Sequence, residues 1–245
     1  MLKIENTEVL GWDAAIRGMR NPLNSWEKSD SQFVRDPDYG CFGVCPCAEL
    51  VDCDCCHVGP NDLKLMNTLR NAGTDHRKFM RMITVYLDIT APLYWWKEFD
   101  TYKVGTVANS CSTMHKIADK EFTLEDFSHE HLLSMANNDA GDALFLNDAN
   151  NIRVDGDDLL GLIINVLNYY RGRYIKTKDK RYWWQLIQLL PSSYNQKRTV
   201  MLNYEVLANI YKSRRNHKLD EWHTLCDWIE SLPYSKLITG GVVDE

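Results

Sequence analysis

Nowhere in the 245-residue sequence does an apolar run approach the roughly 20 residues needed to cross a membrane as a helix. The opening residues, Met1-Leu2-Lys3-Ile4-Glu5-Asn6, lack the charged-then-apolar layout of a secretory signal, so a cytoplasmic location is expected. Positive charge is also in short supply. A net charge of −6 argues against a general nucleic-acid or anionic-membrane binder, while leaving room for a local basic pocket. No repeat of 20–50 residues is present. What the chain does have is 44% hydrophobic and 11% aromatic residues, including eight Trp and twelve Tyr, ample surface to bury and a strong argument against disorder.

The spacing of apolar residues predicts a strand over Leu2–Leu10, a helix over Trp12–Met19 and a turn-rich stretch over Asn21–Asp38. A helix carrying Leu63, Leu65, Met66 and Leu69 is expected next, capped by Asn61 or Asp62 and stopped at Gly73. Ile83–Ile89 reads as a strand, and Ala91-Pro92 as the opening of a helix through Trp95, Trp96 and Phe99. A polar loop is expected from Asn137 to Gly156, with helices over Leu159–Tyr170 and Trp183–Leu190. Beyond a turn at Pro191–Asn195, a strand over Lys197–Leu202 precedes helices over Tyr204–Ser213 and Leu219–Leu232. Helices mixed with non-adjacent strands indicate one α+β domain, with loop insertions at about 29–60 and 137–156.

Six of the eight cysteines cluster as Cys41, Cys45, Cys47, Cys53, Cys55 and Cys56, followed by His57. Four thiolates, or three with the imidazole, suffice for a tetrahedral zinc shell. The cluster lacks the paired C-x2-C knuckles of zinc modules, so a thiol-bearing surface loop is an equal reading. Glu49, Asp52 and Asp54 would raise nearby thiol pKa values, which weighs against a redox role.

Two further segments combine polar groups with apolar surroundings. From Trp95 to Phe99 the chain is aromatic, and it then runs through small and hydroxyl residues, Gly105, Ser110 and Ser112, with Lys103 and His115 alongside. This is either a core helix followed by a polar turn, or a place where hydroxyls and a cation hold phosphate. In the last third, eleven residues separate Asn203 from Arg214, which puts both on one side of a helix with Leu207 and Ile210. Either Asn203 caps that helix while Arg214, Arg215 and His217 offset its dipole, or the pair faces a polar ligand.

In order, Ala72-Gly73, Ala91-Pro92, Thr101-Tyr102-Lys103, Asn109-Ser110, Ser112-Thr113-Met114-His115, Leu190-Pro191, Asn203, Asn209 and Arg214 resemble the flavin-dependent thymidylate synthases, the ThyX family. The likeness covers roughly 63–115 and 185–232 and leaves out the cysteine cluster. It implies a ThyX-like fold of helices packed on an antiparallel sheet, and a homotetramer binding FAD where subunits meet. It also implies a pyrimidine nucleotide, dUMP, as acceptor, methylenetetrahydrofolate as carbon donor and NADPH as reductant. By the same likeness Asn203, Asn209, Tyr102 and Lys103 fall at the flavin, and Ser110, Ser112 and Arg214 at the nucleotide, with Arg214 and Ser112 in the catalytic positions.

The departures are as informative as the matches. The family's Arg-His-Arg signature is replaced by Thr101-Tyr102-Lys103, and its phosphate arginines by Met114 and Ile187. Lys103, His115, Lys197 and Arg198 are the candidate cations to replace them. Two functions follow: a flavin-dependent transfer of a one-carbon unit to C5 of a pyrimidine nucleotide, or a non-catalytic, nucleotide- or partner-binding descendant of the same fold.

Overall fold

The computed structural model describes residues 2–33, 52–53, 56–134, 144–147 and 152–240. The elements in chain order are β1 (Lys3–Leu10), α1 (Trp12–Arg20), β2 (Gln32–Phe33), β3 (Asp52–Cys53), β4 (Cys56–His57) and α2 (Pro60–Asn71). Next come β5 (Thr84–Pro92), α3 (Leu93–Phe99), β6 (Val107–Ser110), α4 (Thr113–Lys116), β7 (Leu144–Asn147) and β8 (Ile152–Val154). The chain closes with α5 (Gly156–Thr177), α6 (Lys180–Leu189), β9 (Asn195–Asn203), α7 (Tyr204–Arg214), α8 (Asp220–Glu230) and α9 (Lys236–Thr239). No helix among the described residues is long and apolar enough to cross a membrane.

Helices pack on an antiparallel sheet ordered β1-β5-β9-β6, and the two residues of β3 add a parallel partner to β1, with Val9 opposite Cys53. Alternation explains β5: Val85, Leu87, Ile89 and Ala91 are buried, whereas Tyr86 is exposed and Thr84, Asp88 and Thr90 half-buried. On the opposite face, Asp88 accepts hydrogen bonds from Asn6 (2.9 Å) and Thr199 (2.6 Å), a polar row across β1, β5 and β9.

The chain divides into two compact units. One comprises Leu2–Ile89, Phe99–Asn109 and Arg198–Glu245. Here Trp12, Ala15, Ile16 and Met19 form the buried stripe of α1, and Trp222, Leu225, Cys226 and Ile229 that of α8, each at helical spacing. The other comprises Thr90–Glu98 and Ser110–Lys197. Its core joins Ile117, Phe122, Phe127, Leu160, Leu167 and Leu186, with α5 packed against α6.

Several local expectations are corrected. Ala91 and Pro92 end β5 instead of opening α3, because the residue before a proline favours extended backbone and a strand end tolerates a missing N–H. The expected polar turn after Lys103 contains β6, whose four residues are all exposed and so carry no alternation to read. Within the expected 137–156 loop, β7 and β8 pair antiparallel, with Phe145 opposite Arg153. α5 extends seven residues beyond Tyr170, through a charged stretch that apolar spacing does not register. Cys41, Cys45, Cys47 and Cys55 lie outside the described residues, and Cys53 and Cys56 contribute backbone to β3 and β4.

The start of α2 also differs from expectation. Asn61 and Asp62 are not its caps; the Asp30 carboxylate accepts from both their backbone N–H groups, at 2.9 and 3.1 Å. Gly59 makes that approach possible, since a Cβ there would lie 2.3 Å from Asp30. Asp62 instead points inward, fully buried, and meets the Arg20 guanidinium at 2.6 Å together with the Ser29 and Ser31 hydroxyls. Burial pushes the Asp62 carboxyl upward, but the hydrogen bonds from Ser31, Ser29 and Arg20 outweigh it and hold it below its ordinary value.

A carboxyl lowered in the folded state stabilises the fold above its unfolded pKa and loses that contribution as pH falls through the folded value. Denaturation midpoints should therefore decline as pH drops below about 4. Asp62→Asn should flatten this decline and cost about 3–5 kcal/mol at neutral pH by stranding the Arg20 charge, as urea titration would measure.

Candidate functional site

The junction of β9 and α7 sets the site. Asn203 ends the strand in extended backbone, and its side-chain oxygen accepts from Val206 N–H at 3.0 Å, capping α7. The Tyr204 N–H donates to the Ile83 carbonyl at 3.1 Å and its hydroxyl to Pro233, so the first turn of α7 is bound on two sides. The preceding turn presses close: a Cβ on Gly105, whose φ is +79°, would stand 3.0 Å from Asn203 Nδ2. Beside it, Thr106 Oγ1 is buried with no hydrogen-bond partner among the described residues.

At the far end of α7, Arg214 enters an aromatic cluster. Its Nε–H donates to the Tyr102 hydroxyl at 2.9 Å, and its guanidinium carbon stands 4.7 Å from the Trp222 ring centroid and 5.6 Å from that of Tyr102. Trp222 is fully buried, stacked on Phe99 and edge-on to Tyr102 and His217. Tyr102 thus holds the guanidinium in a set plane.

Asn203 and Arg214 do not meet. Eleven residues at about 1.5 Å each place them about 16 Å apart along the helix. What they share is the segment 102–105, touching Arg214 through Tyr102 and Asn203 at Gly105. Asn209 is drawn elsewhere: its side-chain oxygen accepts from Arg77 at 3.2 Å, and Arg77 and Arg81 both pair with Glu205. Burial raises the Glu205 carboxyl, yet the bonds from Arg81 and Arg77 outweigh it, so the residue stays below its usual range as the anion of this network. Arg198 forms an ion pair with Asp100 at 2.8 Å. Lys103 is exposed in the turn, its carbonyl accepting from Thr106 N–H.

Ser110, Ser112, His115 and Lys197 belong to the other unit. The Lys197 carbonyl accepts from Cys111 N–H at 2.9 Å, and Gln196 donates to the Cys111 carbonyl at 2.8 Å, fixing the chain between Ser110 and Ser112. Ser112 caps α4, its Oγ accepting from His115 N–H at 3.1 Å. Met114 is exposed, and its carbonyl accepts from the Trp183 indole at 3.2 Å. Ile187 packs against the apolar core of this unit.

No group of three or more His, Cys, Asp or Glu side chains among the described residues is arranged to hold a metal. Two described thiols are free, Cys111 on the surface and Cys226 in the core. Burial, then Asp227 and Glu230, push the Cys226 thiol up to about 11. Sequence reasoning did not find the Trp222 platform or the Arg77–Glu205–Arg81 network. Trp222 reads as one more core residue of an amphipathic helix, and the network joins positions 124 to 132 residues apart.

No protein-family model matches the chain, and no curated protein matches it by sequence. Its fold does have counterparts. Thymidylate synthase X (ThyX) from Helicobacter pylori, solved with FAD and dUMP, aligns with a TM-score of 0.61 and 16% identity over 98% of each chain. The UMP/dUMP methylase PolB from Streptomyces cacaoi, solved with 5-Br UMP, aligns at 0.55 and 14% identity, over 98% of this chain and 95% of that one. At such identities the likeness establishes a ThyX-like fold.

Gly105→Ala should destabilise the protein by about 1–2 kcal/mol, combining a left-handed backbone with displacement of the Asn203 cap. Asn203→Ala should cost a similar amount, and the double variant less than the sum, because both act on one contact. Chemical denaturation of the three variants checks this.

Proposed function

We propose that the chain is a flavin-dependent enzyme transferring a one-carbon unit to C5 of a pyrimidine nucleotide, dUMP or a close relative. In this reading it acts as a cytoplasmic homotetramer, with methylenetetrahydrofolate and NADPH as co-substrates. One observation carries the proposal: a ThyX-like fold along the whole chain in which Arg214 is held as an oriented guanidinium by Tyr102 and Trp222.

The residues present fit a flavin on one local ground. Thr106 Oγ1 is a buried polar atom lacking a partner among the described residues, next to a Gly105 turn that keeps backbone accessible beside Asn203. Asn203, Thr106, Tyr102 and Lys103 would hold the group, with Asn209 at the margin because Arg77 already engages it. When bound, FAD supplies the hydride. Arg214, fixed before the substrate arrives, stabilises negative charge developing on the pyrimidine ring without reorganising. Ser112 keeps its hydroxyl proton to donate to the nucleotide while its oxygen caps α4. Of the stand-in cations, Arg198 is already paired with Asp100, while His115 is exposed in the turn that Ser112 caps and is the better candidate for the nucleotide.

Self-association is supported by α5. Leu159, Leu162 and Tyr169 are 47%, 53% and 61% exposed and, with Val166, line one helix face, an apolar stripe that a second copy would cover. Exposed Met114 and core-packed Ile187, at the positions of the family's phosphate arginines, favour the rival reading of a binding protein without catalysis.

Purified protein should take up FAD and absorb at roughly 450 nm as flavins do. Protein that stays colourless with added FAD yet binds dUMP would instead support the binding reading. Arg214→Ala should lower turnover at least about 100-fold with its circular dichroism unchanged. Leu162→Glu combined with Tyr169→Glu should reduce the assembly's mass in sedimentation equilibrium; an unchanged mass would exclude this stripe as the contact.

A further inference from the structure

The net charge of −6 is unevenly distributed. Between Arg171 and Arg181 stand six cations and one carboxylate, while 159–170 and 182–191 contain no charged residue, so the rest of the sequence carries −11. The fold gathers this run onto the last two turns of α5, the α5–α6 turn and the first turn of α6. Arg173, Lys176, Lys178, Lys180 and Arg181 are all exposed there. Arg171 is half-buried at its edge and donates to the Ala118 and Asp119 carbonyls, at 3.0 and 3.2 Å.

The groups that hold these cations are mostly neutral. Arg173 donates to the Tyr182 hydroxyl at 2.9 Å, its guanidinium carbon 5.1 Å from that ring's centroid, and Tyr182 stacks in turn on Tyr170. Lys178 Nζ is 5.8 Å from the Tyr174 centroid, and Lys180 Nζ is 5.9 and 5.7 Å from those of Trp183 and Trp184. The lone carboxylate, Asp179, is spent on Arg181 at 2.7 Å and on capping α6. Among the described residues Arg173, Lys176, Lys178 and Lys180 have no carboxylate partner. Like charges this close repel one another, and Lys180 also occupies the first turn of α6, the end of the helix dipole that disfavours cations.

We propose that this surface binds the phosphate backbone of a nucleic acid without reading its bases. A chain of phosphodiesters presents several anions at once, and the salt ions released on contact supply the driving force. The aromatic rings serve to hold the cations in place. That arrangement disfavours a lipid surface, where apolar tips must reach past the cations; here the Lys180 ammonium lies over both tryptophans. The surface uses no residue assigned to the flavin or to the nucleotide acceptor, so the inference is independent of the proposed enzymatic activity.

Fluorescence anisotropy of the full-length protein tests it, with two labelled single strands of different sequence and one duplex, each roughly 20 nucleotides long. Dissociation constants should fall on the order of 10⁻⁶–10⁻⁴ M at physiological salt, agree within about threefold between the two sequences, and tighten at least about tenfold from 200 to 50 mM salt. The strand form bound more tightly identifies the preferred backbone geometry. Lys176→Ala combined with Lys178→Ala and Lys180→Ala should weaken binding at least about tenfold and reduce the salt slope by about 2. A control that removes equal charge elsewhere, Lys28→Ala with Lys64→Ala and Lys212→Ala, should stay within about twofold of the parent. All six lysines are exposed, and thermal midpoints check that both variants fold. Retained binding in a Lys176→Arg, Lys178→Arg, Lys180→Arg variant would separate lost charge from lost structure. Equal weakening in the two alanine variants, no weakening in either, or pelleting with phosphatidylserine vesicles in the absence of any anisotropy change would each overturn the proposal. FAD uptake on the same samples reports separately on the flavin reading.

Discussion

The hydrogen bond by which Asn203 caps α7 is the constraint on which the candidate site depends. It converts the end of β9 directly into a helix, with no intervening loop to blur the direction of α7. Everything placed by α7 inherits that direction: Glu205 toward Arg77 and Arg81, Asn209 toward Arg77, and Arg214 against Trp222. An asparagine suits this point because its short amide reaches the first-turn N–H groups from extended backbone. The cap also explains why Gly105 approaches so closely, since its φ and the narrow space both refuse a side chain.

Carboxylates and aromatic rings both position arginines in this fold. Arg20 and Arg198 are tied to Asp62 and Asp100, in pairs that anchor structure. Arg214 donates to the Tyr102 hydroxyl and lies against the Trp222 and Tyr102 rings, contacts that fix the plane of its guanidinium.

Elements with strong periodicity are legible in the sequence. The stripes of α1 and α8 and the alternation of β5 read directly from their apolar residues. The antiparallel sheet and ThyX-like architecture followed from a resemblance carried by element order. Harder to read were elements whose reason lies far away in sequence. The cap of α2 comes from Asp30, more than thirty residues upstream, and β6 exists because β9 offers it an edge. At the site, helical phase puts Asn203 and Arg214 on one side, while the axial rise keeps them about 16 Å apart. The role of Tyr102 as the hydroxyl under Arg214 depends on a contact spanning 112 positions, which no local pattern encodes.

The setting of Asp62 has a topological consequence. Ser29, Ser31 and Arg20 converge on it from upstream of residues 34–51, and the short ladder pairing Gln32 with His57 and Phe33 with Cys56 ties the two ends of the interval together. Every group in these two fastenings belongs to residues 20–33 or 56–62, so the seating of α2 beside α1 is secured by a few short-range contacts between segments distant in sequence.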